Sequence, residues 1–285
     1  MMSNSTVKEK SPVIGNPYQY IEAEIVDIME ETPNIKTFVL EPKEDVGFRT
    51  GQFMNITVPG FGEAPFTPSS NYDRKRKLDF TIMNVGRVTR LLHGMKKGSI
   101  VGVRGPYGKG YPLDLFKGKE LCIVGGGVGL APLRSLIYAL FNDVDQYKKI
   151  LVKYGAKTPG DIVYKNEVNK WSATAEHVDV EVTVDSGDSS WNGHVGLVTT
   201  ILKNLDMDVK TAKGIVCGPP IMMKFATFKL LELGFAEENI YLSMEKNMSC
   251  GIGKCGHCRI GPVYACKDGP VFTFARIKEL PEVWD

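Results

Sequence analysis

The 285-residue chain contains no apolar run approaching the ~18 residues that read as a transmembrane helix, so no membrane span is expected. It also lacks a strong net charge. At +2, nothing in the balance points to a nucleic-acid or membrane surface. Histidines are few, only His93, His177, His194 and His257, and no Ser/His/Asp arrangement stands out, so hydrolytic chemistry is poorly supplied. The first fifteen residues are polar and have no hydrophobic segment. Residues 1–15 therefore read as a loose tail rather than a targeting sequence, and a cytoplasmic protein is expected. Internal repeats and low-complexity segments are not apparent. What remains is an ordinary soluble composition, 43% hydrophobic and 24% charged, on a chain long enough for two compact domains and a small module.

Cysteine is scarce but concentrated. Four of the six fall in the run MSCGIGKCGHCRIGPVYACKDGPVF: Cys250, Cys255, Cys258 and Cys266, spaced C-x4-C-x2-C-x7-C. The first three match the plant-type [2Fe–2S] pattern, in which a loop wraps the cluster and a more distant cysteine closes it. Gly251, Gly253 and Gly256 lie between the ligands, where a glycine backbone can turn through positive φ and aim N–H groups at sulfur. A four-cysteine zinc knuckle is the rival, although zinc sites usually come as two separate short pairs. Disulfides suit small secreted domains better than this chain. His257, between two of the cysteines, reads as a solvated loop residue.

Residues 20–110 are rich in short runs of Val, Ile, Phe and Thr, punctuated by Gly, Pro and Asn: Tyr20–Ile28, Ile35–Leu40, Phe53–Val58, Leu78–Met83 and Ser99–Arg104. That is the pattern of a small antiparallel barrel or sandwich, with one helix expected at Thr89–Met95. From Lys117 onward strands and helices alternate. Strands are expected at Glu120–Val124, Lys149–Tyr154, Val178–Thr183, Gly214–Cys217 and Ile240–Ser243. Helices are expected at Pro132–Phe141, Ile162–Lys170, Val198–Asn204 and Ile221–Leu233. Such alternation implies an α/β domain with a parallel sheet. The expected order is an antiparallel β-barrel at 16–116, an α/β parallel-sheet nucleotide domain at 117–243 and a small C-terminal knuckle at 244–285.

Two glycine turns open helices after strands. Gly125-Gly126-Gly127-Val128-Gly129 can let a pyrophosphate approach the backbone and a helix N-terminus. It departs from G-x-G-x-x-G, and the end of the next strand carries Lys153 and Lys157 instead of an acidic residue, either of which could accept a 2′-phosphate or simply be exposed. The second turn is Cys217-Gly218-Pro219-Pro220. Ligands of open α/β sheets bind outside the carboxyl ends of the strands, which puts Cys217, Gly218 and Pro219 at the mouth of a site. A buried small apolar residue is the competing reading of Cys217, and the core reading holds for Cys122.

Together these motifs resemble the ferredoxin–NADP reductase superfamily. With the C-terminal cysteines, the chain is similar to its flavin–iron–sulfur electron-transfer subunits: those of the soluble sulfhydrogenases (gamma), of anaerobic sulfite reductase and of dihydroorotate dehydrogenase. GEAPFTPSS, GRVTRLLHGMKKGSIVGVRGPYGKGYP and CGIGKCGHC…CKDGPVF carry the likeness. The resemblance implies FAD against the barrel at Ala64-Pro65-Phe66-Thr67. Phe66 would pack on the flavin and Thr67 would bond near its N5, with Ile82 and Met83 lining the ring. Ala64 replaces the family's arginine, and the phosphate would meet the helix start at Gly86-Arg87-Val88-Thr89. Read without the family, Phe66 is core and Thr89 a helix cap. The resemblance further implies NAD(P)H as substrate, Thr67 and Cys217 placed near the hydride path, and a [2Fe–2S] exit on Cys250, Cys255, Cys258 and Cys266. The expected function is a diaphorase-type subunit that serves a larger redox partner carrying further iron–sulfur clusters. A free-standing NAD(P)H–ferredoxin reductase and a non-catalytic zinc-knuckle adaptor are the alternatives.

Overall fold

A computed structural model describes residues 16–74 and 76–284; the expected N-terminal tail lies outside the described residues. The first region holds strands β1 (Ile21–Thr32), β2 (Ile35–Pro42), β3 (Phe53–Val58), β4 (Gly62–Phe66) and β5 (Leu78–Met83), then helix α1 (Arg87–Gly94) and strand β6 (Ile100–Tyr107). They form a six-stranded antiparallel sheet ordered β4-β3-β6-β1-β2-β5. Alternate residues of these strands bury Ile25, Phe38, Met54, Ile56, Phe80, Ile82 and Val103 in one core, as the period-2 pattern requires.

The second region runs β7 (Glu120–Gly126), α2 (Leu130–Asn142), β8 (Lys149–Ala156), α3 (Lys165–Trp171), β9 (Val178–Val184), β10 (His194–Val195), β11 (Lys213–Cys217), α4 (Pro220–Glu232) and β12 (Ile240–Ser243). These strands are parallel, and β7 is central between β8 and β11. Leu121 and Ile123 of β7 face one core, while Cys122 and Val124 face the other. A continuous apolar strand is what burial on both faces demands. Cys122 is core as expected, and burial pushes its thiol up to about 12.

The last region is stitched to this sheet rather than hung from it. A hairpin, β13 (Arg259–Ile260) and β14 (Val263–Tyr264), leads into α5 (Ala265–Asp268). Then β15 (Val271–Thr273) adds antiparallel to β12 as the seventh strand, and α6 (Phe274–Ile277) follows. Lys109 donates its N–H to the Gly269 carbonyl, tying the same segment to the first region.

Two expected elements changed. No strand was expected at Gly62–Phe66, where β4 forms. The helix expected at Val198–Asn204 is only a 3₁₀ turn, Val198–Ile201, because four consecutive β-branched residues suit an α-helix poorly. Among the described residues, no helix is long and apolar enough to cross a membrane.

Candidate functional site

A cleft of about 370 Å³ opens where all three regions meet. The first region contributes Phe53, Pro65, Phe66, Thr67, Thr81, Ile82, Met83 and Thr89. The parallel sheet contributes Val128, Gly129, Cys217, Gly218 and Pro219. The C-terminal region contributes Met244, Met248 and Pro270. Ten expected site residues therefore share one cavity: Pro65, Phe66, Thr67, Ile82, Met83, Thr89, Gly129, Cys217, Gly218 and Pro219. The topology explains the convergence. The glycine turns leave the carboxyl ends of adjacent strands β7 and β11, and β4 and β5 carry the facing wall. Walls of Pro, Phe, Ile and Met fit a flat aromatic ring such as a flavin.

Gly86, Val88, Gly125, Gly126 and Gly127 do not line this cleft. Gly125 is a packing residue: a Cβ there would lie 3.1 Å from Leu133 and 3.4 Å from Tyr154. At Gly126 a Cβ would meet Met222 at 2.7 Å. Gly129 is where the two turns touch, since a Cβ would fall 2.5 Å from the Gly218 Cα. Only Gly127, at φ +53, faces open space and leaves room for a ligand. Thr89 keeps its capping role while lining the cleft. Its Oγ1 accepts the Val85 and Gly86 N–H groups at 3.0 and 2.8 Å, which removes two donors from a phosphate at that helix start. Cys217 satisfies both readings: it is buried, and burial pushes its thiol up to about 12, yet it borders the cleft. Lys153 is removed as a phosphate ligand. It is buried, with its Nζ 3.2 Å from Asp179 and 2.9 Å from Glu181.

The four cysteines lie close together. Cys255 interacts with Cys250, and Cys266 chiefly with Cys258 and more weakly with Cys250. The x7 spacing is a hairpin: Arg259 pairs with Tyr264 and Ile260 with Val263, which returns Cys266 beside Cys258. Among the described residues, no three candidate ligands close on a single-ion site. Two pairs of thiols suit a two-iron centre, in which each iron takes two cysteines, better than one tetrahedral zinc. The backbone supports this. Ile252, Lys254 and Cys255 direct their N–H groups to the Cys250 sulfur at 3.3–3.5 Å, and Gly253 directs its N–H to Cys266 at 3.0 Å. Gly251, Gly253 and Gly256 have φ of +75, +71 and +86, as that wrapping requires. Backbone N–H groups of Cys250 and His257 hold the Cys255 thiol down to about 7. Cys255 is exposed, whereas the other three are buried. His257 is exposed as expected, with Nδ1 3.1 Å from the Ser249 hydroxyl.

Sequence reasoning missed Phe53, Met244 and Met248 in the cleft wall, and Arg104 and Arg134 in the frame around it. The Gly261-Pro262 dipeptide was an available signal for the hairpin that closes the cysteine set. Single apolar residues far apart in sequence gave none.

Residues 22–111 match the oxidoreductase FAD-binding domain family, and 123–227 the oxidoreductase NAD-binding domain. Residues 245–278 match the iron–sulfur cluster binding domain of dihydroorotate dehydrogenase B. The sulfhydrogenase 2 gamma subunit of Pyrococcus furiosus is 38% identical over 85% of this chain and 88% of its own. A probable dihydroorotate dehydrogenase B (NAD(+)) electron transfer subunit of Methanocaldococcus jannaschii is 36% identical over 81% and 80%. A chain from an NADH-dependent reduced ferredoxin–NADP oxidoreductase shares the fold, with a TM-score of 0.76 at 27% identity and 92% of each chain covered. The FAD-binding, NAD-binding and iron–sulfur matches follow one another along the sequence, and the chain belongs to the family of flavin- and iron–sulfur-dependent NAD(P)H oxidoreductase subunits that includes the sulfhydrogenase gamma subunits and the dihydroorotate dehydrogenase B electron-transfer subunits.

Proposed function

We propose that this chain moves electrons between NAD(P)H and an iron–sulfur-carrying partner subunit in the cytoplasm, with FAD in the shared cleft and a [2Fe–2S] cluster on Cys250, Cys255, Cys258 and Cys266. The observation that carries this reading is the single cleft bordered by all three regions. When bound, FAD and the cluster would supply the exchange between two-electron hydride chemistry and one-electron transfer.

The chain's own residues would position and shield. Phe66, Ile82 and Met83 form apolar walls for the flavin ring, and Thr67 offers a hydroxyl at its edge. Cys217, kept a neutral thiol by burial, borders the place where a nicotinamide would stack, with Gly218 and Pro219 beside it. Gly127 leaves backbone open to the pyrophosphate. Gly86, Val88 and Thr89 stand at the start of α1, the helix end that would meet the flavin's phosphate. On the far side, Phe53 lines the cleft and packs against Tyr107 at 5.7 Å, and Tyr107 lies against Gly251 of the cysteine loop.

A partner is supported by two surface features. Cys255 is exposed, so electrons can leave at the surface. On α4, Ile221, Phe225 and Phe228 expose 62%, 55% and 44% of their area along one helical face, an apolar stripe suited to a subunit contact.

The test is substitution Cys255→Ser in anaerobically purified protein. Iron and acid-labile sulfide should fall, while FAD content and NADH-driven dye reduction at the flavin persist. Loss of dye reduction with FAD still bound would show that the cluster precedes the flavin and sink the proposed order.

A further inference from the structure

Arg104 belongs to neither the cleft nor the cysteine loop, yet it grips the frame of both. It sits in β6 with its side chain 2% exposed. The register places it opposite Asn55 of β3, and Asn55 opposite Pro65 of β4, so one row of the sheet runs from Arg104 to the flavin strand. The guanidinium holds Glu63, two residues before Pro65: Nε is 2.7 Å from Oε2, and Nη2 bonds Oε1. Its remaining donors point the other way. Nη1 donates to the Cys250 carbonyl at 2.8 Å and Nη2 to the Ser249 carbonyl at 3.0 Å. Nη1 also meets the Tyr107 hydroxyl at 2.9 Å, and Asn55 Nδ2 donates to the Ser249 carbonyl at 3.3 Å.

A planar fork with five donors is what this junction needs, and lysine cannot copy it. The electrostatics are asymmetric. The cation bonds the first cysteine's own carbonyl, and the anion bonds the cation rather than the cysteine loop. At low effective dielectric such charges act over several ångströms, and cluster potentials respond to nearby charge and hydrogen bonds.

We propose that Arg104 and Glu63 are positioning residues that tie the first cluster cysteine to the flavin strand and, as opposed charges, set the cluster's reduction potential. This rests on the reading of Cys250, Cys255, Cys258 and Cys266 as cluster ligands. The full chain, purified anaerobically with FAD, is first assayed for iron and for the EPR signal of its reduced cluster. Absence of both in the wild type defeats that reading before the tie is tested.

With the cluster present, EPR-monitored redox titration compares Glu63→Gln, Arg104→Gln, Arg104→Lys and the double Glu63→Gln/Arg104→Gln variant. Removing the anion should raise the potential, and removing the cation should lower it. Each single shift should be about tenfold in the one-electron equilibrium constant, or about 59 mV. The double variant should return near the wild type, and Arg104→Lys should fall less than Arg104→Gln. Shifts of the same sign in both single variants, or none above twofold, overturn the proposal, because a merely mechanical brace would not reverse sign with charge. If Arg104→Gln retains no iron, Glu63→Gln alone decides: an upward shift supports the tie, and no shift or a downward one overturns it.

Discussion

At the scale of single residues, the run Gly125–Gly129 shows how differently neighbouring glycines serve one turn. Gly129 cannot accept a methyl group, because it would strike backbone of the opposite turn at 2.5–2.7 Å. Gly129→Ala should therefore destabilise the fold by about 2 kcal/mol, as overpacking does, measured by urea unfolding. Gly127 has open space instead, at φ +53, where a side chain costs about 1–2 kcal/mol of backbone strain. If its open side receives the pyrophosphate, Gly127→Leu should raise the NADH dissociation constant at least tenfold and leave iron content intact. Unchanged NADH binding would show that this turn does not cradle the nucleotide. The turn itself was legible in the sequence, but the division of labour was not. Spacing records that five residues can bend, and says nothing about which of them another backbone presses on. The same holds for Lys153, whose charge was visible while the carboxylates of Asp179 and Glu181 across the strand pair were not.

At the scale of elements, legibility followed periodicity. Strands β3, β5 and β12 sit where their Val, Ile, Phe and Leu patterns place them. Strand β4 was missed because Gly62 and Pro65 read as breakers. It is an edge strand, where a proline forfeits no internal ladder bond. That edge leads into the cleft through Pro65, Phe66 and Thr67, so the least strand-like stretch of the first region carries residues proposed to meet the flavin. Helix α1 offers a direct test of element and site together. Thr89 caps it through the Val85 and Gly86 N–H groups. Thr89→Ala should cost about 1 kcal/mol in unfolding free energy, and Thr89→Ser should restore it. FAD retention through gel filtration should follow the same order. Equal FAD retention in both variants would mean that the helix start does not support the flavin site.

At the scale of the whole molecule, the two large regions must hold a nicotinamide and a flavin in register, and a buried polar cluster lies at their junction. Arg134 of α2 is buried to 6% exposure between them. It meets Glu167 of α3 at 2.9 and 2.6 Å, reaches Asp79 of β5 and the Ser69 carbonyl at 3.3 Å, and stacks over Tyr164 at 4.4 Å. Burial pushes the guanidinium's pKa down, but Glu167 and the neighbouring tyrosines outweigh it and hold the charge in place. Tyr164 adds a hydroxyl contact to Thr81, and Thr81 lines the cleft. None of this was visible in the sequence, since its members lie on five separate elements or loops and Arg134, Glu167 and Asp79 each read alone as surface charge. Arg134→Met should leave Asp79, 3% exposed, with the half-exposed Arg74 as its remaining ion-pair partner among the described residues. Losing one partner of a buried pair typically costs about 3–5 kcal/mol, and Arg74 should hold the loss near about 3. Part of it should return in the double variant Arg134→Met/Asp79→Asn, which removes the stranded charge. The functional consequence is separate from the stability one. A small misplacement between reacting groups costs up to about a hundredfold in rate. Stopped-flow reduction of the flavin by NADH should therefore slow at least tenfold in Arg134→Met at a temperature where the protein remains folded, with FAD and iron contents unchanged. A variant that loses stability but reduces its flavin at the wild-type rate would show that the junction holds the fold together without aligning the two cofactors.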